Sequence, residues 1–198
     1  LLSLSKVVSA TQVGFSQFQL SDNPERPLQL TLWYPTSGSD TQLSPYNPTS
    51  AKLISTLIAD NIAFKGTQVI KDAPILSLTQ SKLTQGKRPL VLLSHGYRGS
   101  WRNLNWLANK LVKKGYIVAA PDHPGTTTFN TNALHASQWW QRPNDLKRVI
   151  DYLLNDVIWQ EEIDKNEISA IGHSLGGWSV MQLVGAQFNR AEYLAACN

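Results

Sequence analysis

Hydrophobic and polar residues alternate in two short segments near the start of the chain. In the first segment, apolar side chains recur at Val13, Phe15, Phe18 and Leu20. The second segment covers residues 28–34, and a turn-forming Ser-Asp-Asn-Pro sequence at 21–24 lies between the two. Alternation with a period of two is typical of half-buried strands. The two segments and the turn between them therefore predict a β-hairpin.

From Pro89 onward, short apolar runs alternate with amphipathic segments. The patterns predict strands over residues 89–94, 116–121, 167–172 and 193–197, and helices over 103–114, 142–155 and 174–185. Strands that are buried on both faces and joined by helices are typical of a doubly wound, mostly parallel sheet. The sequence therefore predicts an α/β fold, in which ligands bind at the carboxyl ends of the strands.

Residues 36–86 interrupt this regular pattern. The segment is rich in Ser, Thr, Gln and Pro, and it carries one helical pattern at 51–59. Long loops inside a compact domain are often functional. We therefore expect a single domain over residues 1–198, with 36–86 as an insertion or flap beside an active site.

Composition narrows the range of partners. The 18 Lys and Arg against 14 Asp and Glu give a net charge of +4, but the basic residues are scattered, which argues against nucleic-acid binding. The single cysteine, Cys197, excludes an internal disulfide and a cysteine-based zinc site. No apolar run reaches membrane-spanning length. Residues 8–10 are similar to a signal-peptidase site, which favours a soluble, periplasmic or secreted protein, although compartment and oligomeric state stay open.

The strongest chemical motif is Gly-x-Ser-x-Gly at residues 172–176, with an apolar strand before it and a helix after it. Glycines at both ends permit a tight strand-to-helix turn, on which a strained serine projects into the cleft. The N-terminus of the following helix places positive dipole charge near a developing oxyanion. This nucleophile-elbow pattern predicts Ser174 as the nucleophile.

A second motif follows the strand at 89–94 and includes His95, Gly96 and Tyr97. Acyl transfer needs two backbone N–H donors for the tetrahedral oxygen, one after the nucleophile and one in the loop after this strand. The amides of Leu175 and Tyr97 occupy those places. We expect His95 to hold the loop by hydrogen bonds, and we assign His95 and Trp178 to the wall of a substrate pocket.

Tryptophans are numerous in this chain, which has seven. Five of them lie near predicted loops or helix starts, namely Trp101, Trp106, Trp139, Trp140 and Trp178. Core packing is the expected role for each one alone. If several face the cleft together, an apolar or aromatic acyl group would fit there.

Five segments in order resemble the platelet-activating factor acetylhydrolase and predicted dienelactone hydrolase branch of the α/β-hydrolases. They are residues 32–35, 89–96, 115–125, 141–146 and 172–177. The resemblance implies cofactor-free hydrolysis of carboxylic esters, with Ser174 as nucleophile and the amides of Tyr97 and Leu175 as oxyanion hole. The cutinase branch is similar around residues 95–97 and 126–128.

A serine nucleophile needs a histidine base and an acid that orients it, and in this fold they follow in the order serine, acid, histidine. No histidine follows Ser174. The resemblance implies an acid near Asn198, just past the predicted strand at 193–197, and a base later still. We therefore expect the chain to be the N-terminal portion of an enzyme, without the C-terminal strands of the fold. Structural roles are expected for Asp122 and for the upstream histidines, with His173 pointing away along the turn.

Three functions remain open. The first is a serine esterase that works through an acyl-enzyme on Ser174, acting on a small-molecule ester that the sequence does not identify. The second is a non-catalytic or truncated α/β-hydrolase-like protein that lacks the triad base. The third is cutinase-like, lipase-like or thioesterase activity. No motif for a metal or another cofactor supports a role for either.

Overall fold

The computed structural model describes residues 12–37, 69–75 and 86–196. Its strands are β1 (Gln12–Leu20), β2 (Leu28–Thr36), β3 (Ile70–Lys71), β4 (Arg88–Ser94), β5 (Ile117–Asp122) and β6 (Ile163–Gly172). Its α-helices are α1 (Asn105–Val112), α2 (Ala133–Ser137), α3 (Arg142–Asn155), α4 (Trp159–Glu162), α5 (Leu175–Leu183) and α6 (Arg190–Ala195). Two 3-10 turns, Trp101–Leu104 and Trp139–Gln141, precede α1 and α3.

The described strands form one sheet in the order β3-β1-β2-β5-β4-β6. β1 and β2 pair antiparallel along their whole length, which confirms the predicted hairpin. β2 also pairs antiparallel with β5, whereas β5, β4 and β6 run parallel to one another. The predicted α/β fold with a mostly parallel sheet is therefore confirmed.

Two hydrophobic clusters lie on opposite faces of the sheet. On one face, α3 packs its apolar side against Leu90 and Leu92 of β4. On the other face, α1 packs against Val91 and Leu93 of the same strand. Successive side chains of a strand point to opposite faces. The continuous apolar run in β4 is thus explained, because helices cover the strand on both sides.

Element boundaries follow the predictions with local differences. The helix α3 has the predicted bounds and carries Pro143 in its first turn, where the missing N–H costs no helical hydrogen bond. The predicted helix at 103–114 is shorter and begins as a 3-10 turn capped by Ser100. β6 begins earlier than predicted because Ile163 pairs with Arg88 of β4, across an irregularity in the register.

The strand predicted at residues 193–197 is wrong, since residues 190–195 form the helix α6. The side chain of Asn189 accepts hydrogen bonds from the amides of Ala191 and Glu192, at 3.1 and 3.3 Å. This cap, with an acidic Glu192 in the first turn, favours a helix start. Asn198, the helical pattern at 51–59 and most of the insertion lie outside the described residues, so the single domain with a flap stays a prediction.

None of the helices in the three described ranges combines the length and hydrophobicity needed to span a bilayer.

Candidate active site

The turn between β6 and α5 holds Ser174 in a strained conformation. Its backbone angles are φ 54° and ψ −122°, and the residue is exposed to solvent. A non-glycine residue with such a positive φ costs about 1–3 kcal/mol, and such residues cluster at functional sites. The turn therefore presents the serine hydroxyl at the carboxyl end of a parallel strand, where ligands of this fold class bind.

Two glycines let this turn close. A Cβ atom on Gly172 would lie 2.1 Å from the carbonyl oxygen of Gly176. A Cβ atom on Gly176 would lie 2.0 Å from the carbonyl oxygen of Ser94. The strand and the helix thus approach each other, and approach the end of β4, with bare backbone. The Gly-x-Ser-x-Gly spacing is a requirement of this packing.

The loop after β4 lies directly beside Ser174. The amide of His173 donates to the carbonyl oxygen of Ser94 at 3.1 Å, which ties the ends of β6 and β4 together. A Cβ atom on Gly96 would lie 3.1 Å from the Cβ atom of Ser174. The amide of Arg98 donates to the carbonyl oxygen of Thr126 at 2.8 Å and fixes the far side of this loop.

The amides of Tyr97 and Leu175 are the predicted oxyanion donors. Within the part of the chain that the structure describes, neither amide has a hydrogen-bond acceptor. Leu175 is the first residue of α5, where helical amides have no partner inside the helix and the dipole is positive. Both donors are therefore available near the serine, and their role as an oxyanion hole stays a prediction.

Two cavities open beside this turn. The first, of about 500 Å³, contains Ser174 and His173 and is walled by the loop at 95–99 and by Trp106. The second, of about 590 Å³, is called the aromatic groove here, and it is lined by Tyr97, Ala133, Ala136, Ser137, Trp139, Leu175, Trp178 and Phe188. Tyr97 lines both cavities, so the two are neighbours.

A second serine, Ser94, belongs to a buried arrangement that resembles a catalytic triad. Its Oγ lies 2.9 Å from Nε2 of His123, and Nδ1 of His123 lies 2.9 Å from Oδ2 of Asp145. The order of atoms matches a Ser-His-Asp triad. However, all three residues are 0% exposed, so no substrate reaches Ser94. The arrangement is structural, and the exposed Ser174 is the candidate nucleophile.

Burial fixes the protons of this network. Burial, followed by the positive charge of Arg142, lowers the pKa of His123 to about 4, so the ring is neutral. Its Nδ1–H then donates to Asp145, and its Nε2 accepts the hydroxyl proton of Ser94. Burial alone would raise the pKa of Asp145, but hydrogen bonds from His123 and Arg26 outweigh it and lower the pKa below its ordinary value.

Two arginines connect this network to the rest of the fold. Arg26, in the turn between β1 and β2, donates to both carboxylate oxygens of Asp145 at 2.8 and 2.7 Å. Arg142, at the start of α3, donates to the carbonyl oxygen of His95 and, at 3.4 Å, to Oγ of Ser94. The guanidinium of Arg142 therefore holds the backbone of the loop that carries Tyr97.

The ring of His95 has the structural contacts expected from the sequence. The amide of His123 donates to Nε2 of His95 at 3.0 Å, so the proton is on Nδ1, which donates to the carbonyl oxygen of Gly96 at 2.7 Å. Burial and the neighbouring His123 and Arg142 lower the pKa of His95 well below its ordinary value. His95 is 1% exposed at the floor of the Ser174 cavity, and its role in substrate binding stays a prediction.

The two remaining titratable candidates, Asp122 and His173, lie in different surroundings. Asp122 accepts a hydrogen bond from the amide of Trp101 at 2.9 Å, as a structural turn residue does, and burial raises its pKa to about 6. His173 does not point away as predicted, because its ring lies against Gly96 in the Ser174 cavity. Among the described residues, no histidine is hydrogen-bonded to Ser174, and no cluster of His, Cys, Asp or Glu could hold a metal ion.

Sequence reasoning missed three features of this site: the Ser94–His123–Asp145 network, the attachment of the loop by Arg142, and Phe188 in the aromatic groove. The network joins residues from β4, the end of β5 and α3, which are distant in the sequence. The Arg-Pro-x-x sequence at 142–145 predicted only a helix start. The sequence pattern did not identify partners for the buried charges of Arg142 and Asp145.

The family model described as serine aminopeptidase, S33, matches residues 85–197, which is more than half of the chain. The chain belongs to this family. Its fold and its solved structural relatives place it in the α/β-hydrolase superfamily. Members of the S33 family are serine hydrolases, in agreement with the elbow and its exposed serine.

The curated relatives of this S33 chain include cutinases and peptidases. Cutinase 2 of Thermobifida cellulosilytica is 28% identical over 95 residues, which are 47% of this chain and 33% of the cutinase. Probable dipeptidyl-peptidase 5 of Emericella nidulans is 29% identical over 109 residues, which are 52% of this chain and 15% of the peptidase. The matched part of the chain thus spans a third or less of the length of these relatives.

Solved structures extend the likeness to most of the described fold. A ferulic acid esterase from Streptomyces cinnamoneus matches with a TM-score of 0.63 and 25% identity, over 89% of this chain and 56% of that one. A dienelactone hydrolase-like promiscuous phosphotriesterase from metagenomic libraries matches with a TM-score of 0.50 and 14% identity, over 87% and 54%. The second likeness supports the fold alone.

Proposed function

We propose that this S33-family protein is a serine hydrolase that cleaves carboxylic esters through an acyl-enzyme on Ser174. The observation that carries the proposal is the exposed, strained serine beside two backbone amides without acceptors. Oγ attacks the ester carbonyl carbon, the amides of Tyr97 and Leu175 stabilise the oxyanion, the alcohol leaves, and water releases the acid. The reaction also requires a base that takes the hydroxyl proton of Ser174 and an acid that orients this base.

The charge of the cavities favours esters over peptides with a free N-terminus. An aminopeptidase must bind the positively charged amine of its substrate, for which a carboxylate is the natural partner. Among the described residues that line the two cavities there is no Asp or Glu. The cutinase and ferulic acid esterase relatives support the same choice, since their names describe ester cleavage.

Finer assignments belong to the same proposal. The sequence resemblance favours an acetylhydrolase-like or dienelactone hydrolase-like branch, and the relatives add a cutinase-like one. The same residues could also hydrolyse thioesters. Hydrolysis of lactones is the less favoured activity, because the nucleophile is a serine. We propose a small-molecule ester as partner and a soluble, exported protein. A non-catalytic protein that has kept the elbow but lacks a base is the competing hypothesis.

The deciding experiment is labelling with a fluorophosphonate probe, followed by intact-protein mass spectrometry and peptide mapping. We expect one adduct, on Ser174, and its loss in Ser174→Ala together with hydrolysis of 4-nitrophenyl acetate. Ser169→Ala is the matched control, because Ser169 is an exposed serine on the preceding strand and should leave both signals unchanged. A folded wild-type protein without an adduct would favour the non-catalytic hypothesis.

A further inference from the structure

The aromatic groove has a composition and a position that the proposed reaction does not itself require. Three of its walls are the rings of Trp139, Trp178 and Phe188, and its volume of about 590 Å³ is within the usual range for small-molecule pockets. Trp178 is 50% exposed and Phe188 is 47% exposed. Large apolar rings that are exposed together in a concave surface mark a binding site more often than a solvated face.

The rings are already arranged for further ring contacts. Trp178 and Phe188 are stacked, with centroids 5.4 Å apart and planes at 24°. Trp139 meets Phe188 edge to face, at 5.4 Å and 83°. Offset-stacked and edge-to-face geometries are the two that aromatic pairs prefer, and each contributes about 0.5–1.5 kcal/mol beyond the burial of area. A planar ring in this groove can continue both contacts, whereas an alkyl group gains only the burial.

The groove lies beside the reacting centre. Leu175 lines it, and Leu175 follows the nucleophile and supplies one of the proposed oxyanion amides. Tyr97, which carries the other amide, lines both the groove and the Ser174 cavity. One substrate molecule can therefore place a substituent in the groove while its carbonyl group is bound at Ser174. The Ser174 cavity has a more polar wall, with Arg98, Asn103 and His173, and would suit the other half of the ester.

We propose that the aromatic groove binds a planar aromatic ring of the ester substrate. The inference rests on the proposed function, and it names the substrate class of the same site. The ring is carried by either the acid or the alcohol half of the ester, since both halves extend from the same carbonyl. Two pairs of substrates distinguish a ring on the acid half from a ring on the alcohol half.

The test compares kcat/KM for ring-matched esters in the natural full-length protein. The acid arm compares methyl 3-phenylpropanoate with methyl 3-cyclohexylpropanoate, and the alcohol arm compares benzyl acetate with cyclohexylmethyl acetate. We expect an aromatic preference of about three- to tenfold in one arm. Equal rates in both arms, or a preference for the saturated rings, would overturn the proposal.

Variants assign any preference to the groove. Trp178→Leu keeps an apolar side chain but removes the stacked ring, so we expect the aromatic preference to fall to about onefold. Phe129→Leu is the matched control, because Phe129 is an exposed ring that lines neither cavity, and its loss should leave the preference intact. A preference that survives Trp178→Leu and Phe188→Leu would contradict the proposal.

A binding measurement separates this proposal from the proposed function. Ser174→Ala is titrated with 3-phenylpropanoate, 3-cyclohexylpropanoate, benzyl alcohol and cyclohexylmethanol, and tryptophan fluorescence reports binding. Tighter binding of one aromatic compound, lost in Trp178→Leu, supports the groove even if no ester is hydrolysed, in which case only the proposed function fails. Hydrolysis of both members of each pair at equal rates, with equal binding, leaves the proposed function standing and removes this inference.

Discussion

The glycines on either side of Ser174 are required because backbone segments approach each other closely at this turn. The carbonyl oxygen of Ser94 lies where a side chain at position 176 would begin, so only glycine fits without movement of β4 or α5. The next residue, Gly177, is in a different situation. A Cβ atom there would lie 3.5 Å from the carbonyl oxygen of Gly172, which is an ordinary van der Waals contact.

We therefore predict that Gly176→Ala and Gly177→Ala differ sharply, although the two residues are adjacent in one helix. Gly176→Ala forces a steric clash with backbone and should lower the free energy of unfolding by about 3 kcal/mol or more. Gly177→Ala should change it by about 1 kcal/mol or less, and in the stabilising direction, because alanine favours the helix. Urea unfolding followed by tryptophan fluorescence measures both. Equal losses would show that the close approach at Gly176 is not the determining contact.

The sequence predicted the strained turn at Ser174 well because the requirements of this turn are local. A strand, two glycines and a helix start within one short segment constrain Ser174 whatever the rest of the fold does. The tight contact of Gly176 with Ser94 was not predictable, because the partner is a backbone atom on another strand. The rings of the groove were uncertain for a similar reason, since Phe188 joins Trp178 only when the chain leaving α5 folds back.

The carboxyl ends of β4 and β5 concentrate buried titratable groups. His95 and His123 both have lowered pKa values, that of His123 about 4 against an ordinary 6.5, because burial disfavours their charged forms. Asp122 has the opposite shift, since burial raises its pKa to about 6 from 3.8. The three groups lie next to the loop that carries Tyr97, so their titration changes the stability of the active-site elements.

The signs of these shifts predict how stability depends on pH. Below pH 6.5 the unfolded chain binds protons at two histidines that the folded protein leaves neutral, so stability falls as the pH falls. Between about pH 6 and 4 the folded protein binds one proton at Asp122 that the unfolded chain does not, which opposes the fall. The uptake of protons by the two histidines of the unfolded chain exceeds the uptake by Asp122, so the free energy of unfolding should drop as the pH falls in this window, by at most about 1.4 kcal/mol per pH unit.

Asp122→Asn removes the opposing group, so the slope between pH 6 and 4 should become steeper than that of the wild type. His123→Gln removes one histidine and should make the slope shallower than that of the wild type, whatever its effect on absolute stability. Urea unfolding at half-unit steps from pH 7 to pH 4.5 measures all three slopes. A wild-type slope of zero, or a steeper slope in His123→Gln, would contradict the assignment of a neutral buried His123.

Elements were predictable where the hydrophobic pattern was long and unambiguous. The helix α3 has a broad apolar face and a proline at its start, and its bounds were predicted correctly. The segment after residue 189 is too short for its apolar residues to distinguish a strand from a helix, and the side-chain cap of Asn189 and the acidic first turn produce the helix α6. Local hydrogen bonds outweighed a weak hydrophobic pattern.

Across the whole molecule, buried charges connect parts of the chain that the sequence pattern treats as separate. Arg26 belongs to the N-terminal hairpin, and Asp145 belongs to the crossover helix α3. Through His123, Asp145 is also connected to Ser94 at the end of β4. No periodicity identifies such partners, because their sequence separation is large and charged residues are usually expected at the surface.

The salt bridge between Arg26 and Asp145 leads to a prediction about the whole fold. Asp145 is 0% exposed, so removing its bidentate partner leaves a buried carboxylate with weaker compensation. We expect Arg26→Met, which keeps an apolar stem of similar length, to lower the free energy of unfolding by about 3–5 kcal/mol. Because the pair joins the hairpin to α3, the loss should be seen as one cooperative transition at lower urea, measured at pH 7.5 by both fluorescence and circular dichroism.

Arg148→Met is the matched comparison, since Arg148 contacts the same carboxylate, but at 3.4 Å and from a partly exposed position. Its main partner is Asp22, which is largely exposed, and such surface pairs contribute about 1 kcal/mol or less. The loss in Arg148→Met should therefore be a small fraction of that in Arg26→Met. Similar losses in the two variants would mean that burial of Asp145 does not set the energy of this network, and that the hairpin is held mainly by its apolar contacts with the sheet.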